Sequence, residues 1–175
     1  MSAAPAGAHG GEDIHTCDWS ATAAEHIATG DGKGCVRVFD TRSLASAAPL
    51  FSAPPDAHAG EAVSTVGWSP TARGAFASAA ADGCVCVWSP FAASLDNHNT
   101  NGSGADDPLL LRHVGHGDTP VVDLHWHPSE PWVIVSTDEV GGLQAWRVSD
   151  LLTRPEGEVI AELEARRAAA GAKQE

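Results

Sequence analysis

The chain has 175 residues, room for one domain with a sizeable core or for part of a larger one. Its 23 Asp plus Glu against 10 Lys plus Arg give a formal net charge of −13, which argues against free DNA or an anionic membrane as the main partner and favours something basic. No apolar run approaches the roughly 20 residues that cross a bilayer, and the Ala/Gly-rich start has no charged region followed by an apolar one, so a soluble, intracellular chain is expected.

After an N-terminal stretch, 1–8, read as disordered, His9 opens the first of three units. A tryptophan follows ten positions later and a second aromatic at thirty: Trp19 and Phe39 after His9, Trp68 and Trp88 after His58, Trp126 and Trp146 after His116. Each unit reads as three short strands. The first strands are "IHTCDWS", "VSTVGWS" and "VVDLHWH"; the second are "HIATG", "AFASAA" and "WVIVST"; the third are "CVRVFD", "CVCVWS" and "LQAWRV". The turns "DGKG", "ADG" and "DEVGG" join second to third, with glycine where a positive φ is needed. The units are bounded at 9–57, 58–93 and 109–148. Cys17, Cys35, Cys84 and Cys86 fall inside apolar strand-like runs, not at disulfide or zinc-knuckle spacings, and read as reduced core thiols.

Between the second and third units lies "SLDNHNTNGSGADDPLLL", Ser94 to Leu111, a polar Asn/Gly/Ser stretch leading into an acidic pair and then apolar residues. It is divided here into an insertion loop, 94–108, and the start of the last unit. The next stretch, "HGDTPVVDLHWHP", concentrates His116, His125 and His127 with Asp118 and Asp123. His125 and His127 alternate with Trp126 and share one face of a strand, a geometry compatible with two metal ligands. A third ligand is missing at any persuasive spacing, so no metal or cofactor is assigned. The final segment, 149–168, reads as a helix, with Pro155 in its first turn, Glu156 and Glu158 near its positive end, and an apolar stripe of Val159, Ile160 and Leu163. A tail, 169–175, follows.

Period-2 strands, evenly spaced and repeated above 40 residues, predict four-stranded propeller blades. The motifs resemble the WD repeat family: an opening histidine, Trp68-Ser69-Pro70 or Trp126-His127-Pro128, Asp82-Gly83 at the turn, and Trp88 or Trp146 closing. The fold class implied is all-β, a partial WD-repeat β-propeller of three blades from a seven-bladed family, with a C-terminal helix. The resemblance further implies that His58, Ser78, Asp82 and Trp88 form a buried blade-fixing hydrogen-bond network, and that His116 and Trp146 belong to its counterpart in the third unit. The first unit departs, with Lys33 where the turn aspartate would sit and Phe39 in place of tryptophan, so a complete network is not expected there.

Pro131 to Ser136, Gly141 to Arg147 and "SDLLTRPEGEVIAELE", Ser149 to Glu164, narrow the likeness. They resemble the end of the retinoblastoma-binding, chromatin-assembly group of WD proteins, nearest its plant FVE branch. That resemblance covers nearly the whole chain and implies a non-enzymatic, nuclear, histone-binding scaffold. Its implied partners are histones or basic histone-tail peptides and the subunits of deacetylase or Polycomb-type complexes, including a retinoblastoma-type protein; direct nucleic-acid or membrane binding is not. By this likeness Asp106 and Asp107 would pair with a partner's Arg or Lys, Pro108 would stiffen the loop, and Leu109 and Leu110 would offer apolar contact, unless the segment is a solvated linker and outer strand with Leu109 and Leu111 simply facing the core. Glu61 and Asp118 are candidates on the channel's top face.

A second resemblance points to a different job. "VRVFDTR", 36–42, is similar to the Trp-Asp-x-Arg signature by which some WD proteins dock on a cullin-RING ligase adaptor, with Asp40 and Arg42 matching and Phe39 replacing Trp. No G-x-S-x-G, phosphate-cradling glycine loop or His-Glu-x-x-His occurs, so no catalytic residue is assigned. Three repeats fall short of the four to eight blades of a closed propeller, and the third unit has no outer strand of its own. Open sheet edges are expected, as in a truncated, non-functional product or a chain that needs a partner to cover them.

Overall fold

The computed structural model describes residues 7–46, 48–91 and 108–148. Eleven strands run through them in three antiparallel sheets, each a simple meander. Strands β1 (Ile14–Trp19), β2 (His26–Asp31), β3 (Val36–Asp40) and β4 (Phe51–Ser52) make the first sheet. The second contains β5 (Val63–Trp68), β6 (Phe76–Ala80), β7 (Val85–Trp88) and β8 (Leu109–His113). The third contains β9 (Val121–Trp126), β10 (Val133–Asp138) and β11 (Leu143–Arg147), with no fourth strand among the described residues. This is a partial β-propeller of three blades. The proposed helix at 149–168, the tail, and most of the insertion, including Asp106 and Asp107, lie outside the described residues.

One backbone irregularity recurs at the same place in every blade. The innermost strand shifts register between Ile14 and Thr16, between Val63 and Thr65, and opposite the Thr137–Asp138 step, where Val121 and Asp123 are the partners. The residue stepped over, His15, Ser64 or Val122, stands six positions after the opening histidine each time. A bulge there turns a side chain out of the ladder. Ser64 uses that turn to donate to the carbonyls of Ala79 and Val121, linking the second blade to the third.

Packing follows the repeat. One buried cluster joins Ala28, Val36 and Val38 of the first blade to Val66, Trp68, Phe76, Cys86 and Trp88 of the second. The other joins Ala77, Ala79, Val85 and Val87 on the second blade's opposite face to Val121, Leu124 and Ile134 of the third. The middle sheet is thus covered on both sides, and every residue of β6 and β7 is buried. That explains why "AFASAA" and "VCVW" are apolar or small throughout, where a half-solvated strand would alternate. The outer blades each keep an open face, where Trp19 is 58% and Leu143 70% exposed.

The open face corrects the reading of the cysteines. Cys84 and Cys86 are buried, but Cys17 is exposed and Cys35 half-buried. Cys17 occupies the position of Val66 in the next blade, and nothing in the first blade's described surroundings is laid over that face. Burial pushes the Cys86 thiol up to about 12, so it stays protonated and acts as a small hydrophobe. No described helix is long and apolar enough to cross a membrane.

Candidate functional site

Three histidine-centred networks fix the blades. In the second blade His58 Nδ1 lies 3.2 Å from an Asp82 carboxylate oxygen and Nε2 lies 2.7 Å from Ser78 Oγ, which accepts the Trp88 indole N–H at 2.9 Å. In the third, His116 reaches Asp138 and Ser136, each at 2.8 Å, and the Trp146 indole donates to Ser136 at 3.2 Å. With the carboxylate accepting, Nδ1 carries the proton and Nε2 accepts from the hydroxyl.

The first blade builds the network that its motif spacing did not promise. Asp31, not Lys33, holds His9 Nδ1 at 2.6 Å, and Thr29 lies 2.7 Å from Nε2. Lys33 contributes only a backbone N–H to Asp31. Asp31 and Asp138 share one solution: each stands two positions after the hydroxyl residue, and its second oxygen gathers two N–H groups of the following turn, those of Lys33 and Cys35 or of Val140 and Gly142. Asp82 stands four positions after Ser78 and caps the N–H of Cys84 alone. Phe39, replacing tryptophan, supplies no N–H, and Thr29 also reaches the Arg37 carbonyl at 3.3 Å.

The carboxyls feel these partners. Burial pushes the Asp31 carboxyl up, but the bonds from His9, Cys35 and Lys33 outweigh it and leave it below the usual range. The same contest lowers Asp82, where His58, the Cys84 N–H and Arg112 oppose burial. Asp138 is lowered chiefly by His116 and then by the Gly142 N–H. Arg112, on β8, was not picked out from sequence; it bonds Asp82 at 2.9 Å and reaches the Cys84 sulfur at 3.4 Å.

Hydroxyl, imidazole and carboxylate in a row are the parts of a nucleophilic triad. Here the hydroxyls are 0 to 5% exposed, and two of the three already accept an indole N–H, so no substrate carbonyl can approach them. These sets are architectural.

The candidates for partner contact lie elsewhere. Glu61 and Asp118 are exposed on the loops that lead into β5 and β9, at one end of the blades. Pro108 is half-buried, and its carbonyl accepts the Ser89 N–H at 2.8 Å, closing the outer strand of the second blade. Leu109 packs against the first core cluster, and Leu110 against the second. Both leucines are therefore partly buried within the blades.

Asp40 and Arg42 come together. The guanidinium clasps the carboxylate through Nε and Nη2, the latter at 2.7 Å, and the Arg42 backbone N–H adds a third donor at 2.8 Å. These contacts hold the Asp40 carboxyl at about 2. Asp40 ends β3 with its side chain largely covered, and Arg42 follows it with its guanidinium in solvent. His125 lies 3.3 Å from Asp123 on the exposed face of β9, whereas His127 Nδ1 accepts the N–H groups of Ser129 and Glu130 to shape a turn. No group of three or more His, Cys, Asp or Glu with metal-holding geometry occurs among the described residues.

Residues 52–89 and 108–139 match the model of the WD domain, G-beta repeat. Over 162 residues, 87% of the chain, the sequence is 45% identical to WD-40 repeat-containing protein MSI4 of Arabidopsis thaliana, of which it spans 31%. It is 33% identical over 61 residues to Histone acetyltransferase type B subunit 2 of Yarrowia lipolytica, covering 35% of this chain and 14% of that protein. Over 48 residues it is 42% identical to Probable histone-binding protein rba-1 of Caenorhabditis elegans, covering 27% of this chain and 11% of that protein.

Proposed function

The chain belongs to the WD-repeat proteins, and from that premise we propose that it is a non-enzymatic scaffold that binds basic histone segments within nuclear chromatin complexes. The observation that carries this reading is the similarity along 87% of the chain to a plant WD-repeat protein, together with shorter similarity to a relative named for histone binding. The net charge of −13 supports it, because an acidic surface draws Lys/Arg-rich segments by long-range attraction and pairs with them at contact. In this reading Asp106 and Asp107 pair with Arg or Lys of a histone helix, and Glu61 and Asp118 offer carboxylates to a basic tail at the end of the blades where their loops lie. Deacetylase, Polycomb-type and retinoblastoma-type subunits are the complex partners.

The test is fluorescence anisotropy of labelled core-histone helix and tail peptides with the purified chain. Binding should weaken steeply with added salt and fall at least tenfold on reversing Asp106 and Asp107 to Lys. Failure of every basic histone peptide to bind would overturn the reading.

A second reading rests on the Asp40–Arg42 clasp, which presents a fixed carboxylate–guanidinium pair just past a third strand. In that reading the pair docks on a cullin-RING adaptor, and adaptor capture should disappear with Arg42→Ala.

A further inference from the structure

The inner strands β1, β5 and β9 lie side by side, and a cavity of about 380 Å³ runs along them, bordered by Thr16 and Asp18, Thr65 and Gly67, and His125 and Trp126. That volume is within the range of small-ligand sites, about 300–1,000 Å³. Both blade junctions that form it lie inside the chain.

One capping pattern holds at the first of these junctions and fails at the second. Counted from the opening histidine, side chains seven and nine positions on reach the backbone of the next inner strand: Thr16 Oγ1 accepts the Val66 N–H at 3.2 Å and Asp18 Oδ2 accepts the Trp68 N–H at 2.7 Å. At the second junction the same positions are Thr65 and Gly67, beside Leu124 and Trp126. The Leu124 N–H is taken instead by the Asp123 carboxylate at 2.9 Å. Trp126 has no such substitute. It stands opposite Ile134 as Trp68 stands opposite Phe76, and in both blades the following residue donates to the partner strand, so the tryptophan's own N–H points away from that strand. No acceptor among the described residues meets it.

Gly67 is the cause. It has no side chain to offer, and its carbonyl is engaged by the Trp126 indole N–H at 2.8 Å. Its backbone does not demand glycine, because its φ is not left-handed and a Cβ would lie 3.2 Å from Leu124 Cδ1, the end of a flexible side chain, and 3.6 Å from Trp126 Cδ1. The result is a notch one side chain deep, with Asp18 on the strand to one side and His125 on the strand to the other.

We propose that this notch binds a primary carboxamide, the side chain of an Asn or Gln in a partner segment, which caps the Trp126 N–H as Asp18 caps that of Trp68. An N–H needs an acceptor, which excludes a Lys or Arg head. A carboxylate accepts, but it brings a second negative charge beside Asp18 in a chain of net charge −13. The carboxamide has the shape of the missing aspartate and is neutral. Its oxygen takes the Trp126 N–H while its NH₂ turns to the Asp18 carboxylate.

Amide-resolved NMR of the full chain tests this with N-acetyl-glutamine methylamide beside its glutamate, norleucine and alanine counterparts. The Trp126 amide signal should shift saturably with the glutamine probe and respond roughly tenfold more weakly to the other three, the worth of one good hydrogen bond. Gly67→Asp, which supplies the cap from within, should slow exchange of the Trp126 amide with solvent and abolish the glutamine-dependent shift. Asp18→Asn keeps an oxygen for the Trp68 N–H and should weaken the shift severalfold, so it decides the matter if near-UV circular dichroism shows that Gly67→Asp does not fold. A Trp126 amide already as protected as that of Trp68 in the unaltered chain, an equal response to all four probes, or undiminished binding by the variants would overturn the site. No histone peptide is used, so the outcome is independent of the proposed function.

Discussion

The middle blade and its two neighbours are written in the same repeat, yet they hold their shape by different means. The second blade is sandwiched, so β6 and β7 are buried on both faces and its network can rely on a turn aspartate that caps a single N–H. The first and third blades each have one face that no described residue covers, and in both the aspartate stands at the strand end and gathers two turn N–H groups as well as the histidine. The contrast teaches that the carboxylate holding the opening histidine can come from two positions: the strand end, where it gathers two turn N–H groups, or two residues further on, where it caps one.

The largest expected break in that comparison is Trp88→Ala. Trp88 is fully buried, stacks near Phe76 and Phe51 and bonds Ser78, so its loss leaves a cavity and takes from the buried Ser78 hydroxyl one of its two partners, the other being His58. A cost of about 4 kcal/mol is expected in urea unfolding. Trp146→Ala, at a half-buried position where the ring stacks on His113 at 4.2 Å, should cost about half as much. Equal costs would mean that the outer blades are no looser than the middle one.

Next in size is the pair of turn glycines. Gly83 has φ +76° and its Cβ would meet the Gly117 carbonyl at 2.1 Å, backbone against backbone, so Gly83→Ala adds a clash between blades to the left-handed strain. Gly141, with φ +90° and open space around it, adds the strain alone. About 3 kcal/mol or more against about 1 kcal/mol is expected, read as the difference in unfolding free energy. If the two substitutions cost the same, the second and third blades are not pressed together at that turn.

A smaller effect, confined to acid, sharpens the comparison between networks. Asp31, Asp82 and Asp138 all have carboxyls lowered in the folded chain. Between an unfolded value of about 4 and those lower folded values, the unfolded chain binds more protons. Stability from these groups is therefore complete above about pH 4 and is lost as pH falls through the folded values. Thermal unfolding followed from pH 7 to pH 2 should show a flat region and then an acid decline, and Asp138→Asn should make that decline shallower while lowering the plateau.

Much of this was legible in the sequence, because the strand pattern and the His-to-Trp spacing are set by chemistry that cannot be moved: an opening histidine needs a hydroxyl and a carboxylate within reach, and a blade needs period-2 strands of fixed length. What was not legible depended on what lies beside a residue in space. Asp31 was passed over because the spacing that works in the second unit points to Lys33, and only a backbone that bends the strand end toward His9 shows that two positions earlier serves as well. The same shift at Asp138 was the available clue. Cys17 sits in an apolar strand like the others, yet no described residue covers its face. Leu109 and Leu110 follow an acidic pair that invites a partner, while the outer strand they form binds them to the two cores.

The smallest expected effect concerns Arg42. The guanidinium is 72% exposed and its clasp of Asp40 is open to solvent, where such pairs contribute little. Arg42→Ala should leave the urea midpoint unmoved, in contrast to every substitution inside the blades. It should still be visible at one atom. The Asp40 carboxyl, held at about 2 mainly by the guanidinium, should titrate upward in NMR, but short of an ordinary aspartate, because the backbone N–H of residue 42 still donates to it. A carboxyl that did not move would mean that the turn alone organises Asp40. Loss of stability would mean that this exposed corner carries part of the first blade, and the pair would then be a brace within the fold and not a surface free to dock.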